Sequence, residues 1–371
     1  MTMGGVELNA FISRVDAPGE GERVAVKDLV DVKGMLTTAG GILLPKVPAA
    51  RDAPVVQRIR AAGCVIVGKT NLHEFAYGVT NVNPHYGNAL NPRDPSRVAG
   101  GSSGGSAVAV ATGECDWAVG SDTGGSIRIP SSLCGVAGFK PNYGSVDIHG
   151  VVPLSPSLDT LGPLAPDVAT TAHAYSVMSG EAVSLAALER PRLGVPRSWI
   201  RDLDAETEAA WTEVSRGLDE VAFVEREPLF EVGLTILLYE AAAYHRRWAT
   251  ESPDKYGADV LRLIRRGFDI TRDDYQAAIR RRVELEREAR AAMDGIDALV
   301  LPATAIVAPR VDAGPEAREP LSRFTRPFNT THQPVAVVPA PARGLPVGIQ
   351  VVGRDNPGAL RAAAWLEREW R

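Results

Sequence analysis

The chain has 371 residues, with 45% hydrophobic and 23% charged, enough for one large α/β domain or two small ones with a sizeable buried core. Lys and Arg number 40 against 45 Asp and Glu, and the net charge of −5 leaves no electrostatic case for nucleic acid as a direct ligand. Cys64, Cys115 and Cys134 have no paired spacing, so neither a disulfide framework nor a zinc site is expected, and a reducing cytoplasm fits best. The segment Met1 to Glu20 has no basic stretch followed by an apolar run, and no long uninterrupted apolar segment occurs, so neither an export signal nor a membrane span is expected.

From Arg23 to about Pro141 short β-branched runs alternate with helical patterns, the rhythm of an α/β fold. Val24-Ala25-Val26 reads as a strand. The stretch 52–63 reads as a helix with Asp52 as N-cap, Val55, Val56, Ile59 and Ala62 on one face, and Gly63 as terminator, followed at once by a strand from Cys64 to Gly68. A small-residue helix is expected from Ala107 to Thr112. Between about 167 and 295 the composition shifts to Ala, Arg and Glu, and helical patterns at 204–218, 235–253 and 271–293 predict a helical layer or cap. Strand patterns return at Ala298–Leu301, Pro334–Val338 and Val347–Val352, before a last helix from about Pro357 to Trp370. No internal repeat is visible, and the Pro-rich stretches 153–166 and 309–346 carry too many apolar residues for free linkers. The expectation is one α/β domain over 1–371, a mixed and largely parallel central sheet sandwiched between helical layers, its core about 23–166 and 296–356.

Two Gly-rich turns stand out. Gly100-Gly101-Ser102-Ser103-Gly104-Gly105-Ser106 packs four glycines and three serines into seven residues, and it lacks the Lys-Ser or Lys-Thr pair that closes a phosphate loop. Gly120-Ser121-Asp122-Thr123-Gly124-Gly125-Ser126 follows an apolar run and leads towards a helix. Glycines ahead of a serine allow backbone N–H groups to converge on one point, which is what an acyl-transfer oxyanion requires. Lys27 sits within the apolar, strand-like run Val24 to Val30, where desolvation favours the neutral amine that a general base must be. Together the three segments suggest a Ser-Ser-Lys relay.

These segments resemble the amidase signature family. Ser126 lies 24 residues after Ser102, the family's spacing, and the likeness extends to Val26-Lys27-Asp28, Gly68-Lys69-Thr70-Asn71, Gly138-Phe139-Lys140-Pro141, Ser157-Leu158-Asp159-Thr160 and Gly344 to Gly353. Near the C-terminus Phe324-Thr325, Pro327 and Asn329 also match. The resemblance implies that Ser126 is the nucleophile, Ser102 a bridging serine after a cis peptide bond, and Lys27 the base. It implies an oxyanion hole of backbone N–H groups from Thr123, Gly124, Gly125 and Ser126, with Ser103, Asp122 and Arg128 supporting the loops. By the same resemblance Tyr77 and Gly101 belong to the substrate pocket. No cofactor and no metal are implied. The expected reaction is hydrolysis of a linear amide C–N bond in a small-molecule substrate, with a homodimer left open.

The family also contains the glutamine-hydrolysing component of glutamyl-tRNA amidotransferase, so a glutaminase component of such a complex is the first alternative and a non-catalytic scaffold relative the second. Lys27 comes early and the middle region is short compared with that component, which argues against the first. Intact Lys27, Ser102 and Ser126 argue against the second. None of the six histidines sits in a triad pattern. The Arg-rich helices at 262–266 and 280–282 read chiefly as solvated faces, with a cation beside a carboxylate-bearing substrate as the lesser reading.

Overall fold

The computed structural model describes residues 2–3, 6–16, 19–186 and 189–370. A short antiparallel pair, β1 (Thr2–Met3) with β2 (Val6–Glu7), precedes β3 (Phe11–Arg14) and β4 (Arg23–Lys27). Then follow α1 (Pro54–Ala61), β5 (Val65–Thr70), α2 (Gly104–Ala111), β6 (Trp117–Asp122), α3 (Arg128–Cys134), β7 (Ala137–Lys140), β8 (Thr160–Ala165) and α4 (Val168–Ser179). The second half runs β9 (Leu193–Val195), α5 (Ala205–Val214), β10 (Asp219–Glu220), α6 (Arg226–Glu251), α7 (Ala258–Arg266), α8 (Arg272–Ala291) and β11 (Ala298–Pro302). It closes with α9 (Arg318–Ser322), α10 (Pro327–Thr330), β12 (Val335–Pro339), β13 (Gly348–Gly353) and α11 (Asn356–Trp370).

Eleven strands form one continuous sheet in the order β10-β9-β11-β13-β12-β7-β8-β6-β4-β5-β3, which makes the chain a single α/β domain with a mixed sheet. Parallel pairing is confined to two blocks, β10-β9-β11 and β6-β4-β5, and the strands between them pair antiparallel. The short connection from β12 to β13 permits only antiparallel pairing. Within 167–295, α7 and α8 each pack on α6, while β9 and β10 join the sheet.

Strand β4 is buried on both faces, as its near-continuous apolar run requires. Val24 and Val26 pack with Ile59 of α1 and Ala172 of α4, whereas Ala25 lies on the opposite face with Ala118, Ala107 and Val108. That alanine-lined face lets α2 approach closely: a Cβ on Gly105 would lie 2.4 Å from the Ala10 carbonyl oxygen and 2.5 Å from that of Asn71. Because β4 and β6 are parallel neighbours, their C-terminal ends place Lys27 beside Ser121 and Asp122.

Several boundaries differ from expectation for local reasons. Ala53, not Asp52, occupies the N-cap of α1, because the Asp52 carboxylate instead accepts the Lys33 N–H at 2.7 Å and an Arg60 hydrogen bond. Helix α2 begins at Gly104 rather than Ala107, so the last two glycines of the first turn are helical. Strand β8, which contains Gly162 and Pro163, sits fully buried between β6 and β7.

Candidate functional site

Lys27 is fully buried, and its Nζ lies 2.7 Å from Ser102 Oγ, 2.8 Å from Ser103 Oγ and 2.8 Å from Ser121 Oγ. No carboxylate lies within ion-pair distance of it among the described residues. Lys69, one strand away, is equally buried but paired to Asp28 at 2.8 Å. Burial lowers the Lys27 pKa from 10.5 to about 7, against the attraction of Asp122 and Asp159. A neutral amine has two N–H donors and one lone pair. Three hydroxyl neighbours therefore suit it if two accept and one donates. Ser103 is an acceptor, since its own hydroxyl donates to the Ser121 carbonyl at 3.2 Å.

The peptide bond between Gly101 and Ser102 is cis. Ser102 is held through its carbonyl, which accepts the His73 N–H at 3.2 Å, and the Gly101 N–H donates to the Val79 carbonyl at 2.7 Å. Ser103 N–H donates to the Ser126 carbonyl at 3.1 Å, which ties the two Gly-rich turns together. Ser126 Oγ and Ser102 Oγ form no hydrogen bond with each other in this arrangement.

The second turn is organised around Asp122. Its carboxylate accepts the N–H groups of Gly125 at 2.9 Å and Ile127 at 3.1 Å, and Arg128 pairs with it through Nη2 at 2.8 Å and Nε at 3.0 Å. Burial alone raises the Asp122 pKa, but the Arg128 guanidinium and the Asn329 amide hold it well below the usual carboxylate range. Arg128 also donates to the Thr325 carbonyl, Gln350 Oε1 and Asn329 Oδ1, so one side chain joins the turn to segments about 200 residues away. Arg128→Met leaves the Asp122 carboxylate buried without its cation, and an expected loss of about 3–5 kcal/mol should appear as a lower denaturant midpoint. A midpoint within error of wild type would show that the pair contributes nothing net.

Gly125 adopts φ +127°, and a Cβ there would lie 2.2 Å from Thr325 Oγ1, so no other residue fits. Its N–H is already committed to Asp122. Among the four expected oxyanion donors, Thr123, Gly124 and Ser126 keep N–H groups that make no hydrogen bond among the described residues. Thr123 is fixed by its hydroxyl, which donates to Asp159 at 2.6 Å. Gly124 is fixed by its carbonyl, which accepts from Thr325 Oγ1 at 2.8 Å.

Ser126 is 6% exposed and opens onto a cavity of about 220 Å³. Tyr77 lines this cavity with Thr123, Gly124 and Ser126, whereas Gly101 does not line it and packs against the Asn81 N–H. Helices α6 and α7 supply an apolar wall that includes Phe230, Leu234, Leu237 and Leu263. No histidine hydrogen-bonds a serine side chain of either turn: His73 Nδ1, for example, accepts the Asn81 N–H. Among the described residues no group of three or more His, Cys, Asp or Glu stands in a metal-holding arrangement.

The family model described as Amidase matches residues 17–357. The chain belongs to the amidase family. Among curated relatives it is 35% identical to the putative amidase AmiD of Mycobacterium tuberculosis, over 90% of this chain and 76% of that protein. It is 34% identical to the 1-carboxybiuret hydrolase component AtzE of a Pseudomonas species, over 98% of this chain and 84% of that protein. A crystal structure described as an amidase superposes with a TM-score of 0.89 at 38% identity, over 94% of this chain and 85% of that one.

Against this amidase-family background, two residues that sequence reasoning passed over belong to the site. Ser121 is the third hydroxyl on Lys27 and directly precedes Asp122 in the second turn; strand alternation does not reveal it, because the register that pairs Val26 with Val119 gives Ser121 the parity of Val26 and not of Lys27. Arg326 lies between Thr325 and Pro327, both of which match the family, and it lines the cavity beside Gly124. No helix among the described residues is long and apolar enough to cross a membrane.

Proposed function

We propose that this amidase-family chain hydrolyses a carbon-nitrogen amide bond of a small molecule through an acyl-ester on Ser126, with Ser102 and Lys27 as the proton relay. The observation that carries the reading is the buried Lys27 amine, held by three hydroxyls and no carboxylate, with Ser102 the nearest at 2.7 Å. Ser126 Oγ adds to the amide carbonyl as its proton passes to Ser102 and the Ser102 proton passes to neutral Lys27. The developing oxyanion takes hydrogen bonds from the free N–H groups of Thr123, Gly124 and Ser126. When the C–N bond breaks, the relay runs backwards and protonates the departing nitrogen, which leaves as ammonia or an amine. Water then adds to the ester, the relay accepts its proton, and the carboxylic product leaves as Ser126 recovers its hydrogen. Substrate contact draws Ser126 Oγ towards Ser102, the step in which the missing hydrogen bond forms.

The test is ammonia and amine release from a panel of small primary and secondary amides, including glutamine and urea-like compounds. Because Lys27 must be neutral and its pKa is held near 7, kcat/KM is expected to rise from pH 6 to pH 8 and level off above. A rate that is flat or falling over that range refutes the relay. Release confined to glutamine would place the chain with the ammonia-donating amidotransferase components.

A further inference from the structure

The cavity above Ser126 is lined by both apolar and cationic side chains. Three arginines, Arg266, Arg318 and Arg326, share its wall with one carboxylate, Glu319. Two of these four charges are neutralised within the protein. Glu319 pairs with Arg323 at 2.6 Å and with Arg226 at 3.7 Å, and Arg318 pairs with Asp259. Arg266 and Arg326 have no carboxylate within ion-pair distance among the described residues.

Arg326 is the more unusual of the two. Its guanidinium stacks 4.4 Å over the Phe230 ring, and its Nε is buried without any hydrogen-bond partner among the described residues. An ideal Cβ on Gly124 would lie 3.4 Å from that Nε, so the guanidinium sits directly beside the candidate oxyanion turn. Tyr77, in the same cavity wall, is 6% exposed, and its hydroxyl is likewise buried with no partner among the described residues. Leaving one buried donor unsatisfied costs roughly 1–3 kcal/mol, and more where the group is charged. The fold gives the Arg128 side chain hydrogen bonds to Asp122, Thr325, Gln350 and Asn329, yet it leaves the buried Nε of Arg326 with none.

We propose that the substrate amide carries a carboxylate, bound by Arg326 with Tyr77 and Arg266, and that the apolar wall of α6 and α7 holds the spacer between that carboxylate and the scissile bond. The proposal rests on the amidase reading and narrows it. A planar guanidinium donates two parallel N–H groups to a carboxylate, and a tyrosine hydroxyl adds a third donor. Phe230, Leu234, Leu237 and Leu263 favour methylenes or a ring as the spacer.

Binding to Ser126→Ala, measured by calorimetry, tests this independently of turnover. The probes are two series, monoamides of linear dicarboxylic acids and N-acetyl ω-amino acids, each taken from short to long spacers. Each is compared with the neutral analogue in which a methyl group replaces the carboxylate. At one length or more the carboxylate should bind about 10–100-fold more tightly than its neutral analogue. Arg326→Gln should collapse that ratio towards one, and Arg326→Lys should restore only part of it. Tyr77→Phe should lower the ratio less. Equal, reversed or undetectable binding at every length overturns the carboxylate site. So does a preference that survives Arg326→Gln. Wild-type turnover of the same probes separates the two readings: carboxylate binding with no turnover of any amide sinks the amidase reading alone, and turnover without carboxylate preference sinks this proposal alone.

Discussion

Lys27→Met is expected to lower kcat/KM by about 10³-fold or more, because a relay of this kind loses its function as a unit when one member goes. Methionine matches the length of the lysine stem and fills the same dry space at the end of β4 without a charge to bury. Of the three hydroxyls on Lys27, Ser103 still donates to the Ser121 carbonyl and accepts the Ser121 N–H, while Ser102 and Ser121 give up only their bonds to the amine. The fold should therefore survive while the proton acceptor is gone, a combination read by kcat/KM alongside a denaturant melt. A second lysine complicates the pH profile of the wild type. Burial also lowers Lys140 to about 7, but among the described residues its Nζ donates only to the Pro141 carbonyl and hydrogen-bonds no serine. A Lys27→Met protein with wild-type kcat/KM would transfer the alkaline limb to Lys140 and end the relay model.

Ser126→Ala should be still more damaging, by about 10³- to 10⁶-fold in kcat, with substrate affinity close to that of wild type. The cavity and the backbone N–H donors stay in place, since Asp122, Thr325 and Asp159 hold the turn without help from the Ser126 side chain. Combining Ser126→Ala with Lys27→Met should cost no more than Ser126→Ala by itself, because members of one relay do not add. Additive losses would mean that the two residues act in separate steps.

The site was more legible in the sequence than the frame that holds it. Lys27 in an apolar run, and serines behind glycines in two turns, are composition against type, and each has a local physical reason. The sheet was legible only in part. Gly162 and Pro163 belong to the Pro-rich stretch 153–166, where no strand was expected, yet they lie in the middle of the sheet, where a Cβ on residue 162 would meet the Phe139 carbonyl oxygen at 2.0 Å. That demand for glycine comes from β7, a neighbour in space whose closeness no local pattern reveals. Gly104 and Gly105 were assigned to a turn for the same reason, since their need for smallness arises from Asn81, Ala10 and Asn71 against α2. The partners of Arg128 lie at Thr325, Asn329 and Gln350, and only the folded chain shows that one guanidinium spans them. The basic helices sorted as charge patterning predicts: Arg281 pairs with Glu284 and Glu288, Arg282 with Glu286, and Arg262 with Asp259. Arg266 is the member that reaches the cavity. Its companion there, Arg326, is single, with no run around it to draw attention.

Peptide mass spectrometry after treatment with a fluorophosphonate decides whether Ser126 is the nucleophile, because the reagent phosphonylates a serine hydroxyl only when the protein activates it. One adduct is expected, on the peptide that carries Ser126, forming faster as the pH rises through 7 and scarcely at all in Lys27→Met. An adduct on a different residue, or Ser126 labelling at the wild-type rate in Lys27→Met, would contradict a nucleophile driven by Lys27.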